Sequence, residues 1–317
     1  MQKHFIIVSE LPHHGGPLVL HLLCHLLNKR GIRAEMFIVP RYIYNSTKKE
    51  LLLFWTKWAL FTILDIEKQI LLKILPEKAR CRIKPLRERS SYHFQKLPRR
   101  YFPIILSKTI VVYPEIVFGN PLKANKVVRW FLYYNKYSGK NAFGSNDLFF
   151  CYRKIFNDRR CNPEEKMLNL NFFDKELYKN YNSKQRTGIC YCIRKGRKRD
   201  DVPKKFDGPI IDELSEEDKV KTFNECSKCY FYDMQTFYTS IAVACGCIPV
   251  CVLEKGKEKR DYLSEGEMGY GVAYGDTDEE INFAERTRMM KLNQLNFDEG
   301  NNQNILKFID EVNDFWL

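Results

Sequence analysis

Four short apolar runs punctuate the first half of the chain: "FIIV" (5–8), "EMFIV" (35–39), "IVVY" (110–113) and "LFFCY" (148–152). Runs of four to eight apolar residues bounded by turn signals read as strands. Between the first two, "SELPHHGGPLVLHLLCHLLNKRG" places Leu18, Leu22, Leu23, Leu26 and Leu27 on one helical face and stops at Gly31. Strand, loop, helix and strand make one β-loop-α-β unit, whose usual result is a parallel sheet. The helix opens on Gly15 and Gly16, which let backbone approach a ligand at a helix N-terminus. In "YPEIVFGNPLKANKVVRW" (113–130), the third run ends at a lone acid, Glu115. Gly119 and Asn120 then turn the chain, and Pro121 is expected to begin a helix.

The pattern restarts after "NSKQRTG" (182–188), a polar, turn-rich stretch. "GICYCI", "GPIIDEL", "KCYFY", "IPVCV" and "YGVAY" read as strands. "SEEDKVKTFNEC" and "QTFYTSIAVACG" read as helices, the first with Ser215 and Asp218 at capping-box spacing, and two further helices close the chain. Alternating strands and helices indicate a second parallel α/β domain. The expected division is residues 1–182 and 183–317, with the last helix free to pack back on the first domain.

A length of 317 residues suits two domains, and 44% hydrophobic residues supply their cores. The formal charge of +13 favours phosphate-rich partners: nucleic acid, an anionic membrane face or a nucleotide-activated substrate. Residues 5–8 are too short for a signal-peptide core, and eleven cysteines then read as reduced cytosolic thiols. The segment 51–66 contains Lys57 and Asp65 and falls short of the roughly 20 apolar residues that span a bilayer. Residues 73–100 carry ten basic residues and two acids, directly after Trp55 and Trp58. That is either a core helix with a solvated basic loop or a patch where aromatics and bases meet anionic lipid.

Ligands of open α/β sheets bind beyond the carboxyl ends of the strands. Four loops qualify: His13 to Gly16, Glu115 to Asn120, "RKGRKR" (194–199) and "YDMQT" (232–236). Five bases around Gly196 suit a diphosphate, because charge-assisted hydrogen bonds to phosphate are strong; a solvated turn is the plainer account. At "YDMQT", helix N-terminal amides with the hydroxyls of Thr236 and Ser240 suit a phosphate, unless Asp233 simply caps the helix. Asp276-Thr277-Asp278 has metal-binding form but reads as a helix N-cap. Cys226-x-x-Cys229 and Cys245-x-Cys247 have partial zinc spacing and read better as buried thiols.

The Gly-Gly loop, the basic loop, the strand-acid-helix-"CGCIPV" segment and the "YPEIVFGNPL…VVRW" run together resemble bacterial capsule and O-antigen glycosyltransferases of the GT-B type. The resemblance implies two Rossmann-like domains facing a cleft, an N-terminal acceptor domain and a C-terminal nucleotide-sugar domain. It implies sugar transfer from a nucleotide-diphosphate donor to a glycan or lipid-linked glycan acceptor, without metal or cofactor, at the cytoplasmic membrane face. Arg194, Lys195, Lys198, Asp233, Thr236 and Ser240 would hold the donor. Gly15, Gly16 and Asn120 would shape the loops around it and the acceptor. Glu115 would accept a proton from the acceptor hydroxyl, with His14 as a second base or contact. Many retaining members carry two glutamates eight residues apart across this helix start; here those positions hold Asp233 and Ile241. The rivals are a nucleic-acid-binding protein, for which no recognition motif is present, and a non-catalytic α/β binding protein.

Overall fold

In the computed structural model, which describes residues 4–11, 15–39, 48–74, 97–103, 107–134, 143–233, 236–263 and 266–316, the chain divides into two compact units. One comprises Met1–Phe172 with Asp298–Leu317, the other Phe173–Phe297. The polar stretch 182–188 lies inside the second unit and leads into its first strand.

The four apolar runs of the first unit become β1 (His4–Ser9), β2 (Arg33–Ile38), β3 (Thr109–Pro114) and β5 (Leu148–Cys151), and β4 (Lys126–Phe131) joins them. They form one parallel sheet in the order β2-β1-β3-β4-β5. Both faces are covered, which is why these strands read as unbroken apolar runs. Phe5 and Ile7 meet Leu23 and Leu27 of α1 (Gly15–Lys29), while Ile6 and Val8 join Phe37, Val111 and Tyr113 on the other side. Trp55 and Trp58 of α2 (Lys48–Ile74) close that second face. One change from the sequence reading concerns residues 121–130. Pro121 and Leu122 form a turn, and the expected helix is replaced by β4.

The second unit holds β6 (Ile189–Cys192), β7 (Lys228–Phe231), β8 (Ile248–Cys251) and β9 (Ala273–Tyr274), parallel and in sequence order. Its helices are α3 (Glu216–Glu225), α4 (Tyr238–Cys245) and α5 (Asp278–Gln294). The Ser215 hydroxyl accepts from the Asp218 amide at 3.1 Å and starts α3. Gly246, at φ 94°, ends α4 in the left-handed conformation that glycine supplies without strain. "GPIIDEL" is not a strand. Only a bridge between Tyr191 and Ile210 forms before a 3-10 turn at Ile211–Glu213, because Asp212 turns back to the end of β6.

The closing helix, α6 (Asp298–Trp316), belongs to the first unit. Its Phe308 lies 5.9 Å from the Phe5 ring and 5.1 Å from Phe150, wholly buried. Burying such a side chain contributes about 1.5–3 kcal/mol.

Candidate functional site

In the first unit the strand order reverses between β1 and β3, so the loops after them leave in opposite directions and open a crevice at their carboxyl ends. Ser9 ends β1 there, Glu115 follows β3 and Leu132 follows β4. These residues, with Gly16, Pro17 and Tyr133, line a cavity of about 270 Å³. Glu115 is only 8% exposed, and its Oε2 accepts from the Leu132 amide at 2.9 Å. Burial pushes its carboxyl up to about 7, against the opposing effect of backbone amides that include Leu132 and Tyr133. The Ser9 hydroxyl is buried and has no hydrogen-bond partner among the described residues. A buried acid poised near neutrality on the wall of a cavity can accept a proton from a bound ligand hydroxyl.

Gly15 and Gly16 start α1, and a Cβ placed on Gly16 would meet only Leu132, at 3.6 Å. His14 lies outside the described residues. Asn120 is committed to its own turn. Its Oδ1 accepts from the Tyr113 hydroxyl at 3.1 Å and the Ala124 amide at 3.0 Å, and its Nδ2 donates to the Ala124 carbonyl at 2.7 Å. Asn120 therefore shapes the Glu115 loop from within.

Arg129, in the middle of β4, escaped the sequence reading. Its side chain is fully buried, pairs with Asp147 at 2.7 Å and donates to the carbonyls of Val117 and Gly119. The available signal was a single cation inside the apolar run "VVRWF". Such a group is almost never buried unless paired.

In the second unit, "RKGRK" folds as a 3-10 turn, Arg194–Lys198, at the carboxyl end of β6. Asp212 ties it down, accepting from the amides of Ile193 at 3.0 Å and Arg194 at 2.7 Å. Arg194 adopts φ 41°, and its Nε lies 3.7 Å from Asp233. Its guanidinium also sits 5.1 Å from the Tyr238 ring centroid at the start of α4. Arg194, Asp233 and the α4 start thus come together. Lys195 and Lys198 are exposed beside them. Thr236 is buried and accepts from the Tyr238 amide at 3.3 Å, and Ser240 is buried one turn on.

Tyr238 is fixed from below. Its hydroxyl donates to Glu216 at 2.7 Å, and Lys219 donates to both at 2.9 and 2.8 Å. Burial alone would raise the Glu216 carboxyl, but the bonds from Lys219, Tyr238 and Tyr178 hold it below its ordinary value.

Asp276 accepts from Lys228 at 2.7 Å and Tyr230 at 2.5 Å, while the Thr277 hydroxyl caps α5 by accepting from the Glu280 amide at 3.3 Å. Cys226, Cys229, Cys245 and Cys247 are buried in the core of the second unit. Burial raises the Cys229 thiol well above its ordinary value, with the neighbouring Cys190 adding to the effect. Among the described residues no group of three or more His, Cys, Asp or Glu side chains could hold a metal ion.

No protein-family model matches the chain, and no curated protein matches it. Among solved structures, it is similar to one described as the glycotransferase of kitacinnamycin. The match has 9% identity and a TM-score of 0.36, over 99% of this chain and 96% of that one. A likeness that slight assigns neither fold nor activity.

Proposed function

We propose that the chain is a glycosyltransferase acting on a nucleotide-diphosphate sugar, with Glu115 as the general base. The observation that carries this reading is the buried Glu115 carboxyl, raised to about 7 at the carboxyl end of β3 and lining a cavity with the Ser9 hydroxyl, which has no partner among the described residues. Glu115 takes the proton of an acceptor hydroxyl, and the freed oxygen attacks the anomeric carbon of the donor. The bond from that carbon to the diphosphate breaks, and its electron pair leaves with the diphosphate. Arg194, Lys195 and Lys198 neutralise the departing charge, so no metal is needed in this scheme. Asp233, just after β7, and Thr236 and Ser240, around the start of α4, address the donor, and His14 is a second base or contact to the acceptor. The resemblance of the run around Glu115 to capsule and O-antigen enzymes supports a growing surface glycan as acceptor.

The test is a thermal-shift panel of UDP, GDP, CMP, ADP and dTDP, with and without magnesium, on the wild type and on Arg194→Ala with Lys195→Ala. A ligand at one hundred times its Kd stabilises a fold by about 2.7 kcal/mol. One nucleotide is expected to give a magnesium-independent shift that the double variant loses. No shift with any nucleotide, together with salt-sensitive retention on RNA or DNA, would move the assignment to nucleic-acid binding.

A further inference from the structure

α2 carries apolar surface on both sides. Its inner side fastens it to the sheet: Trp58 stacks on Phe37 of β2 with centroids 5.3 Å apart, and Trp55 stands edge-on to Trp58 at 5.4 Å. Phe61 packs against the first unit's other core cluster, the one that holds Phe5 and Ile7. The tryptophans expected to meet lipid are therefore the residues that hold the helix down.

The outer side carries nine exposed leucines and isoleucines between Leu52, 67% exposed, and Ile74, 75% exposed. At 100° per residue these nine fall within an arc of roughly 160°. Between residues 52 and 74, Thr56 and Glu67 are the polar residues within that arc, Lys57 and Lys73 lie just outside its two borders, and Lys48 and Lys49 precede it in the first turn. Scattered exposed leucines and isoleucines need no explanation, whereas nine of them aligned on one side of residues 52–74 mark a surface that meets something apolar.

We infer that the outer face of α2 docks the protein flat on an anionic lipid bilayer. Three observations select this occupant. The helix is not apolar enough to cross a membrane, and none among the described residues is; a helix with one apolar outer stripe lies in the interface instead. The chain runs from this stripe directly into residues 73–96, with eight bases against two acids, and each base near an anionic surface favours contact. The same charge opposes the alternative occupant, because a second copy covering the stripe would bring two such segments, on two chains of +13, against each other. The inference holds whatever reaction the protein carries out.

The test is co-sedimentation of the full chain with vesicles of pure phosphatidylcholine, or of phosphatidylcholine with one third phosphatidylglycerol. Wild-type protein is expected to pellet with the anionic vesicles, to be released by salt, and to ignore the neutral ones. The combined variant Leu60→Gln, Ile63→Gln and Ile70→Gln keeps good helix formers and alters only the outer face. It is expected to lower partitioning at least about tenfold, equivalent to about 1.4 kcal/mol, with an unchanged unfolding midpoint. The single variant Leu64→Glu gives a smaller loss in the same direction and serves if the triple variant fails to fold. Equal binding to both vesicles, no binding to either, or full binding by the variants would overturn the inference. A stable wild-type dimer in light scattering that the variants dissolve would overturn it too, by showing a second copy on the stripe.

Discussion

The Arg129 guanidinium lies 2.7 Å from the Asp147 carboxylate, with no exposed surface of its own, and from there it holds the loop that begins at Glu115. It donates to the Val117 carbonyl at 2.7 Å and to that of Gly119, and it sits 4.9 Å from the Tyr113 ring centroid. Asp147→Ala strands this cation in the protein interior, and breaking a buried pair from one side costs about 3–5 kcal/mol. Arg129→Met removes the charge as well and leaves the two loop carbonyls unsatisfied, at about 1–3 kcal/mol each. Urea unfolding of the two variants measures both losses. A change below about 1 kcal/mol in Asp147→Ala would show that the loop is held by other contacts.

Glu115 gives a prediction in pH. Its carboxyl rises from the ordinary 4.5 to about 7 because it is buried. A folded-state value above the unfolded one means the group favours the fold fully below about pH 4.5 and loses that contribution as pH climbs through 7. The rise corresponds to about 3 kcal/mol. Glu115→Gln cannot ionise, so relative to wild type it gains about that much stability between acid and neutral pH. Its turnover moves the opposite way: wild-type rate is expected to rise with pH as the carboxylate forms near 7, and the variant to lack that limb. A variant whose pH–rate profile matches wild type would remove Glu115 from the base role, whatever its stability does.

The strands were legible where both faces are buried, since β1, β2 and β3 each needed only a local apolar run. What local pattern misses is a partner far along the chain. β4 was hidden behind the helix expected from Pro121, and the cation within it, Arg129, is sustained by Asp147, eighteen residues on. "GPIIDEL" has the composition of a strand, yet Asp212 is drawn off to cap the amides of Ile193 and Arg194. Glu115 was visible as a lone acid at a strand end. Its raised pKa was not, because that follows from burial against the Leu132 amide supplied by another strand. The direction in which Trp55 and Trp58 point was likewise invisible, since α2 is apolar nearly all round.

The network under Tyr238 should report acid pH. Glu216 is held below its ordinary value by Lys219, Tyr238 and Tyr178, despite burial. A depressed folded-state value contributes stability above the unfolded value, near 4.5, and loses it as pH falls through the folded one. Glu216→Gln is therefore expected to cost about 1–3 kcal/mol at neutral pH and progressively less in acid. The same variant loosens Tyr238, against which Arg194 stacks, and so weakens nucleotide binding at neutral pH. An equal stability loss at pH 3 and pH 7 would assign the effect to packing instead of charge.

Gly196 tests whether the basic turn is the donor site. A Cβ placed there would lie 2.4 Å from the Tyr232 carbonyl oxygen and 2.7 Å from its carbon, both backbone atoms at the end of β7. Gly196→Ala must therefore lift the turn off the strand, and Arg194, Lys195 and Lys198 move with it. Overpacking of this kind costs about 1–3 kcal/mol. The stabilisation by a nucleotide diphosphate is expected to disappear in the same variant. Lys195→Ala, an exposed truncation, is expected to weaken nucleotide binding while leaving the unliganded unfolding midpoint within about 0.5 kcal/mol of wild type. The pair separates the position of the charges from their number. Nucleotide binding in Gly196→Ala at wild-type strength would place the diphosphate elsewhere on the second unit.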